Sequence, residues 1–441
     1  MPGTTTIIRA RVAHTPRDPF AGEEALEAFD DGALAFAAGG AIEAVGAWPD
    51  VRRAYPDAAV EDRRDCFLLP GFVDTHVHYP QVAVIGAMGL ELLDWLRQRT
   101  LPEEARMADL GHAGPTARRF VRGLAANGTT TALVFGAHFP GAQGLLFEAA
   151  EERGLRIASG LVVSDRRLRP DLEVTPEVAY EESRALIERW HGRGRLRYAV
   201  TPRFSVSCTE AMLDACGALL DLRPDLLVTT HVNEHPREIA VVAELFPDAG
   251  DYLATYERAG LLRDRAVLAH NVHPSDDELR RIAAARASVA HCPSSNAFIG
   301  SGFFPMARHM RHGVRFGLGT DVGAGTGLSL FKEGLTAYQL QMVRDDRHPL
   351  SPAHLLHLAT SSGARALGMD DEIGDLAPGK QADFMLVRPP AESTLEAVLA
   401  ASPDWPAALG ALFTLAREES VVETRVAGEV VFGRAGEPAA T

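Results

Sequence analysis

The chain has 441 residues, of which 46% are hydrophobic and 23% are charged, the balance of an ordinary globular protein. This length exceeds the usual single domain, although an α/β barrel can take up most of it, so we expect one large domain and one small one. The formal charge of −15 argues against a nucleic-acid binder, because polyphosphate partners require a basic face. We therefore expect a small-molecule substrate that is neutral or cationic.

The sequence also favours a cytoplasmic protein without a membrane partner. It contains no apolar run long enough to cross a bilayer, and its first residues, MPGTTTIIRARV, lack the basic segment and apolar core of a secretory signal. Its four cysteines include no C-x-x-C pair, and in a chain of this size they do not suggest a disulfide framework. These cysteines are Cys66, Cys208, Cys216 and Cys292.

Both ends of the chain are predicted to be rich in strands. Residues 4 to 65 contain IIRARV and GALAFAAGGAIEAVG, and residues 374 to 435 contain GDLAPGKQADFMLV and VVETRVAGEVVFG, all punctuated by Gly and Pro. We expect the two ends to pair into one small β-sandwich domain. Its predicted bounds are 1–65 and 375–441, around a larger domain over 66–374.

The middle of the chain alternates short apolar runs with longer helical stretches, the pattern of repeated βα units. Eight such runs predict an α/β fold, a (β/α)8 TIM barrel. Residues 92–126 and 331–368 are predicted to be helical connections, and we assign them no chemistry. The eight runs end near residues 78, 138, 165, 204, 234, 273, 296 and 323.

The first run carries most of the functional information. His76 and His78 lie two residues apart at its end, and alternate side chains of a strand share a face. Two imidazoles on one rigid strand make half of a site for zinc or iron, although the pair alone is a weak signal. Further polar residues follow the ends of other runs, at the face where such barrels place their chemistry. They are Arg203, His231, Glu234, His270 and Asp321.

These residues predict a catalytic metal site. The two histidines, His231 and Asp321 would supply three neutral nitrogens and a carboxylate, leaving room for a water whose pKa falls to about 7 on the ion. Asp321 could then hold the water's proton, and His270 could hydrogen-bond the reacting oxygen. Glu234 could carry a proton to a ring nitrogen of the substrate. Taken singly, His231 could be a core histidine, Asp321 a turn cap and Glu234 a helix cap.

The pattern resembles the amidohydrolase superfamily and, within it, the guanine deaminases. The general carriers are the H-x-H of PGFVDTHVHYPQ and the G-T-D of GLGTDVGAG, and the more specific ones are H-Y-P-Q and T-P-R-F. Further similar segments are NGTTTALVFG, HVNE, AHNVH, AHCPSSNAFIGSGFF and GDLAPGKQAD. The resemblance implies hydrolytic deamination of guanine to xanthine and ammonia, a step of purine catabolism, by a homodimer.

The resemblance also implies residue roles. Gln81 and Arg203 would contact the oxo and ring-nitrogen edges of guanine, with Phe204 against the ring and His270 at the attacking oxygen. Relatives with two metal ions commonly bridge them with a carboxylated lysine, and no lysine lies between His78 and His231. One divalent metal per chain is therefore expected, zinc first and ferrous iron as the alternative.

Two departures from the family pattern lie near the expected mouth of the site. His235 follows Glu234 where relatives carry asparagine, and Asp165-Arg166-Arg167 stands where a D-R-N motif is expected. An alternative is therefore deamination of a related heterocycle, such as a pterin or an oxidised purine. A further alternative, of a different class, is a barrel retained as a non-catalytic scaffold, which would have little reason to keep every ligand.

Overall fold

A computed structural model of the protein describes residues 5–22 and 24–434, so the parts of the predicted small domain at 1–4, 23 and 435–441 lie outside the described residues. The N-terminal part forms four strands, which are β1 Thr6–His14, β2 Glu27–Phe36, β3 Ile42–Ala47 and β4 Ala59–Pro70. The middle follows with β5 Phe72–His78, β6 Thr129–Phe135, β7 Arg156–Gly160, β8 Val162–Val163, β9 Leu196–Pro202, β10 Leu227–Val232, β11 Ala266–His270, β12 Ser288–His291 and β13 Arg315–Leu318. The C-terminal part adds β14 Phe384–Val387, β15 Val421–Val426 and β16 Glu429–Gly433.

The terminal strands form one continuous sheet in the order β16-β15-β14-β4-β1-β2-β3. Only β1 and β4 run parallel, and the other described neighbours are antiparallel. Ile8 of β1 pairs with Leu34 of β2, and both side chains enter one apolar cluster with Leu68, Phe384 and Leu386. The prediction of a small β-domain built from both ends of the chain is confirmed.

The middle strands form a parallel barrel in the order β13-β12-β11-β10-β9-β7-β6-β5, with β8 beside β9. Thr75 Oγ1 donates to the carbonyl oxygen of Leu318 at 2.8 Å, and the Asp321 backbone N–H donates to the carbonyl oxygen of His76 at 2.8 Å. These bonds join the first barrel strand to the last and to the loop after it. The predicted barrel is therefore confirmed, and its closure brings His76 and Asp321 together.

Helices connect the strands. No helix in the described part of the chain is long and apolar enough to cross a bilayer. Those in the first half are α1 Trp48–Ala54, α2 Leu92–Trp95, α3 Leu101–Ala105, α4 Leu110–Ala126, α5 Pro140–Arg153, α6 Pro176–Trp190 and α7 Glu210–Leu219. The others are α8 Pro236–Leu245, α9 Tyr252–Arg258, α10 Asp276–Ala284, α11 Pro293–Phe298, α12 Met306–Arg311, α13 Leu330–Met342, α14 Pro352–Ala359, α15 Ser361–Ala366, α16 Thr394–Ala400 and α17 Trp405–Leu415.

Several predicted strand runs extend past the observed strands. The run predicted to end near residue 296 stops at His291, because Pro293 begins α11, where its missing N–H costs no helical hydrogen bond. The run predicted to end near 323 stops at Leu318. The polar residues predicted at strand ends therefore lie partly on the loops that follow, at the same face of the barrel.

Candidate active site

Two histidines at the end of β5 face one carboxylate after β13. The Nε2 atoms of His76 and His78 lie 3.2 Å apart, as the alternation of a strand requires. They lie 3.3 and 3.2 Å from Oδ1 of Asp321. The other oxygen of this carboxylate, Oδ2, accepts a hydrogen bond of 2.5 Å from Ser295 Oγ. Oδ1 is thereby left to the two imidazoles.

This triangle of atoms fits a divalent ion. Two ligand atoms held at 2.0–2.1 Å from one zinc ion lie about 3.0–3.4 Å from each other, which matches the observed spacings. Burial lowers the pKa of both His76 and His78, which favours the neutral rings that metal ligation requires. Burial opposes ionisation of Asp321, but the two histidines hold the pKa of its carboxyl well below its usual value.

His231, on β10, adds a third nitrogen. Its Nδ1 lies 2.7 Å from the carbonyl oxygen of Arg203, and a carbonyl can only accept, so Nδ1 carries the proton and Nε2 is free. One ligand atom from each of four residues lies within 4.8 Å of the other three, and these residues are His76, His231, His270 and Asp321. His270 belongs to this group, and Nε2 of His78 lies 3.2 Å from both Nε2 of His76 and Oδ1 of Asp321, so either histidine can complete the donor set.

Glu234 lies beside this cluster. Its Oε2 is 3.4 Å from Nε2 of His270, and its Oε1 accepts from Ser301 Oγ at 3.2 Å. Burial, with the nearby carboxylates of Glu238 and Asp321, raises the pKa of Glu234 well above its usual value. Burial lowers the pKa of His270 to about 4, so its ring is neutral. The raised pKa favours the protonated carboxyl, which can serve as a general acid.

A second set of buried polar side chains, Gln81, Glu104 and Arg203, lies apart from the histidine cluster. Gln81, in the turn Tyr79–Val84, donates from Nε2 to Oε1 of Glu104 at 2.8 Å and accepts from the Gly323 backbone N–H at 3.0 Å. Arg203 donates from Nη1 to the two oxygens of Glu104 at 2.9 and 2.7 Å. These side chains are all buried, so they are held in fixed orientations.

These groups meet at one partly open cavity with about 360 Å³ of empty space. Its apolar lining suits a flat ring, while its polar lining offers donors and acceptors to the edge of that ring. The lining residues are His78, Gln81, Leu92, Trp95, Leu96, Arg203, Phe204, His231, Glu234, His270, Ile299, Asp321 and Ala324.

Residues 67–431 match the amidohydrolase family. The chain belongs to the amidohydrolase family. It is 56% identical over 436 residues to the probable guanine deaminase of Deinococcus radiodurans, covering 98% of this chain and 99% of that protein. The solved E. coli guanine deaminase has a TM-score of 0.94 at 38% identity, over 97% of this chain and 100% of that one. The C. acetobutylicum guanine deaminase, solved with guanine in its active site, has a TM-score of 0.89 at 25% identity, over the same shares.

The structure of this amidohydrolase brings every predicted site residue to one end of the barrel. Eight of them line the cavity, and His76 lies beneath it with no exposed surface. Their roles remain predictions. They are His76, His78, Gln81, Arg203, Phe204, His231, Glu234, His270 and Asp321.

Residues 92–126, to which we assign no chemistry from the sequence, contribute one end of their segment to the cavity wall. It is helical as predicted, but Glu104 on α3 binds Gln81 and Arg203, and Trp95 and Leu96 line the cavity. The sequence itself shows only an acidic pair in the helix LPEEA, between Arg99 and Arg106. Nothing in the sequence tells which of the two carboxylates turns inward.

The two departures from the family pattern lie off the cavity. His235 caps α8, accepting from the Arg237 N–H through Nδ1 at 3.2 Å, while Glu238 accepts from the backbone N–H of His235. Arg167 is exposed and has a φ of 55°, a left-handed conformation that asparagine adopts more readily than arginine. Neither side chain is among those lining the cavity.

Proposed function

We propose that this amidohydrolase converts guanine to xanthine and ammonia by hydrolysis. The observation that carries the proposal is that one buried cavity is lined both by Gln81 and Arg203, which can read a purine edge, and by Glu234 and Asp321, which can move protons. The similarity to guanine deaminases over nearly the whole chain supports the same reaction.

We propose His76, His78, His231 and Asp321 as ligands of one divalent ion, zinc first and ferrous iron as the alternative. His78 is preferred to His270 because its Nε2 lies 3.2 Å from Oδ1 of Asp321, whereas Nε2 of His270 lies 3.8 Å from Oδ2 and 3.4 Å from Glu234. When bound, the ion would lower the pKa of a water towards neutrality and so make it a nucleophile.

The side chains then divide the proton transfers. Glu234 donates a proton to the ring nitrogen beside the carbon that carries the exocyclic amine, which makes that carbon more electrophilic. The water oxygen bonds to this carbon, and Asp321 accepts the water's proton. His270 holds the attacking oxygen by a hydrogen bond from Nε2. Asp321 then passes that proton to the amine, the carbon–nitrogen bond breaks and ammonia leaves. The proton left on the attacking oxygen returns to Glu234 as the new carbonyl of xanthine forms.

Substrate orientation falls to three residues. Arg203 offers the N–H groups that Glu104 does not use to the oxo and ring-nitrogen acceptors of guanine. Gln81 offers one N–H and one lone pair, which suit an amide edge. Phe204 lines the same cavity and lies against the ring, in the manner expected of an aromatic wall.

We further propose that the protein is a cytoplasmic homodimer. Each chain would comprise a small domain over 1–65 and 375–441 and a barrel domain over 66–374. The four cysteines are all buried and unpaired, which supports a reducing compartment. Sedimentation of the purified protein tests the dimer.

The function is tested by ammonia release from guanine, with the metal content of the same sample measured alongside. We expect rapid turnover of guanine with about one metal ion per chain, and little with adenine, cytosine or guanosine. Faster turnover of a 2-aminopterin than of guanine would make the pterin the proposed substrate instead. A metal-loaded protein inert towards all of them would favour the scaffold alternative.

A further inference from the structure

Glu104 is a buried carboxylate that joins the two residues proposed to read the substrate. Its Oε1 accepts from Nε2 of Gln81 and Nη1 of Arg203, at 2.8 and 2.9 Å. Its Oε2 accepts from Nη1 of Arg203 at 2.7 Å and faces Nε2 of His138 at 3.2 Å. Each oxygen thus has two partners, and the side chain is 3% exposed.

The ionisation of Glu104 fixes the direction of these bonds. Burial opposes its ionisation, but the guanidinium of Arg203 and the ring of His138 hold the pKa of the carboxyl below its usual value. An ionised carboxylate only accepts, so Gln81 must present its amide nitrogen to it. The Gly323 N–H only donates, so it requires the amide oxygen of Gln81 at the other end. The Gln81 amide therefore cannot flip.

Fixed polarity determines what the cavity offers. Gln81 retains one N–H and one lone pair for a ligand. Arg203 retains the hydrogens on Nε and Nη2, which form no other hydrogen bond within residues 5–22 and 24–434. The guanidinium charge is balanced by the carboxylate of Glu104, and burial lowers the pKa of the neighbouring His138, which disfavours a second positive charge there. This part of the wall therefore carries directional donors without net charge.

We infer that Glu104 is a positioning residue that fixes the hydrogen-bonding polarity of Gln81 and neutralises Arg203, so that the cavity selects a neutral heterocycle over an anionic one. The inference rests on the proposed function, since it concerns the same cavity. It adds a cause for specificity that lies outside the residues touching the substrate.

Glu104→Gln tests the inference, with Glu103→Gln as the matched control. Glu103 is the preceding residue of α3 and binds Arg106 and His112 instead, at 2.7 and 3.0 Å. In Glu104→Gln the amide nitrogen would face Arg203 in either orientation, together with Gln81 in one of them. Donor would then oppose donor, and at least one of these side chains would turn away. We expect KM for guanine to rise about 10–100-fold, with a smaller change in kcat and no change in the control.

Inhibition constants separate charge from packing. Xanthine loses a ring proton near neutral pH, whereas hypoxanthine stays neutral there. Without Glu104 the guanidinium charge is uncompensated, so the anionic inhibitor should gain over the neutral one. At a fixed pH near 8, the ratio of the inhibition constant of hypoxanthine to that of xanthine should rise about tenfold or more relative to wild type. Glu104→Asp keeps the charge but shortens the reach, so it should raise KM without shifting this preference.

An unchanged KM and inhibitor ratio in a folded Glu104→Gln variant, with only a lower melting temperature or active fraction, would overturn the inference in favour of a structural ion pair. If Glu104→Gln fails to fold, Glu104→Asp decides, because an unaltered KM there contradicts positioning. If the wild type deaminates a pterin instead of guanine, the proposed function fails, while the same rise in KM for the pterin still supports the role of Glu104.

Discussion

Nδ1 of His231 donates a 2.7 Å hydrogen bond to the carbonyl oxygen of Arg203. The bond joins a proposed metal ligand on β10 to the backbone of Arg203, just after β9. The side chain of Arg203 is proposed to bind the substrate. The two strands are hydrogen-bonded neighbours in the barrel. The position of His231 in the proposed metal site therefore depends on the backbone of Arg203, and a shift of one of these residues should displace the other.

The first prediction concerns metal retention. His231→Ala removes the nitrogen that this bond orients, so the metal content should fall well below one ion per chain and turnover should fall to background. Metal analysis after dialysis, together with an ammonia assay, checks both quantities. His312→Ala is the control, because His312 lies in a surface ion pair with Asp276. Full metal content in His231→Ala would remove His231 from the ligand set.

A second prediction separates the two histidines, His78 and His270, that could complete the ligand set. His78→Ala should lose the metal ion, because Nε2 of His78 shares Oδ1 of Asp321 with His76. His270→Ala should keep the ion but lose about 10²–10³-fold in kcat, the usual effect of removing one donor to a developing oxyanion. The opposite pattern of metal content would place His270 in the ligand set and His78 outside it.

The third prediction concerns the proton donor. Glu234→Gln keeps the shape of the side chain and its contact with Ser301 but cannot deliver a proton, so kcat should fall about 10²–10⁴-fold with the metal retained. Ser301→Ala removes only the hydrogen bond to Oε1 and should cost less than about tenfold. Steady-state kinetics with metal analysis measures both, and a Glu234→Gln enzyme with wild-type kcat would exclude the general-acid role.

Much of this architecture is predictable from local patterns. The spacing of His76 and His78 places both rings on one face of a strand whatever the tertiary structure, and eight apolar runs separated by helical stretches predict a barrel. The carboxyl ends of parallel strands meet at one face, so residues far apart in the chain, such as His231 and Asp321, are expected together. The observed distances agree with that reasoning.

The residues that escaped prediction depend on long-range packing. Glu104 lies 99 positions before Arg203, on a five-residue helix with no strand end to mark it. Only the folded chain shows that Glu104 binds Gln81 and Arg203, while the neighbouring Glu103, which is also buried, binds Arg106. The predicted strands also run past the observed strand ends, as at His291 and Leu318. Apolar character continues into the loops at this face, because the loops themselves are buried around the cavity.

The fourth prediction tests the departure at His235. The side chain of His235 accepts from a backbone N–H at the start of α8, a task that asparagine performs at least as well. His235→Asn should therefore leave kcat/KM within about twofold and the free energy of unfolding within about 0.5 kcal/mol, whereas His235→Ala should cost about 1 kcal/mol. Denaturant unfolding and kinetics of the two variants check this. A change of substrate preference in His235→Asn would instead show that His235 reaches the substrate.

The last prediction concerns a buried carboxyl that the proposed mechanism does not use. Glu333, on α13, accepts from the N–H and the hydroxyl of Ser294 at 3.0 and 2.6 Å and has no exposed surface. Burial raises its pKa from 4.5 to about 8. Between these values the unfolded chain releases a proton that the folded chain keeps, so the free energy of unfolding falls as pH rises. Below 4.5 both states hold the proton, and above about 8 neither does.

Glu333→Gln keeps the volume and can still accept from the N–H of Ser294, but it does not titrate. The free energy of unfolding of this variant, relative to wild type, should rise with pH by up to about 1.4 kcal/mol per unit between pH 5 and pH 8, and then level off. Using the difference from wild type cancels the other titrating groups, and Glu244→Gln, at an exposed position of α8, supplies the baseline. Denaturant unfolding at each pH measures it. A difference that stays constant with pH would show that Glu333 is already ionised in the folded protein and that Ser294 stabilises its charge.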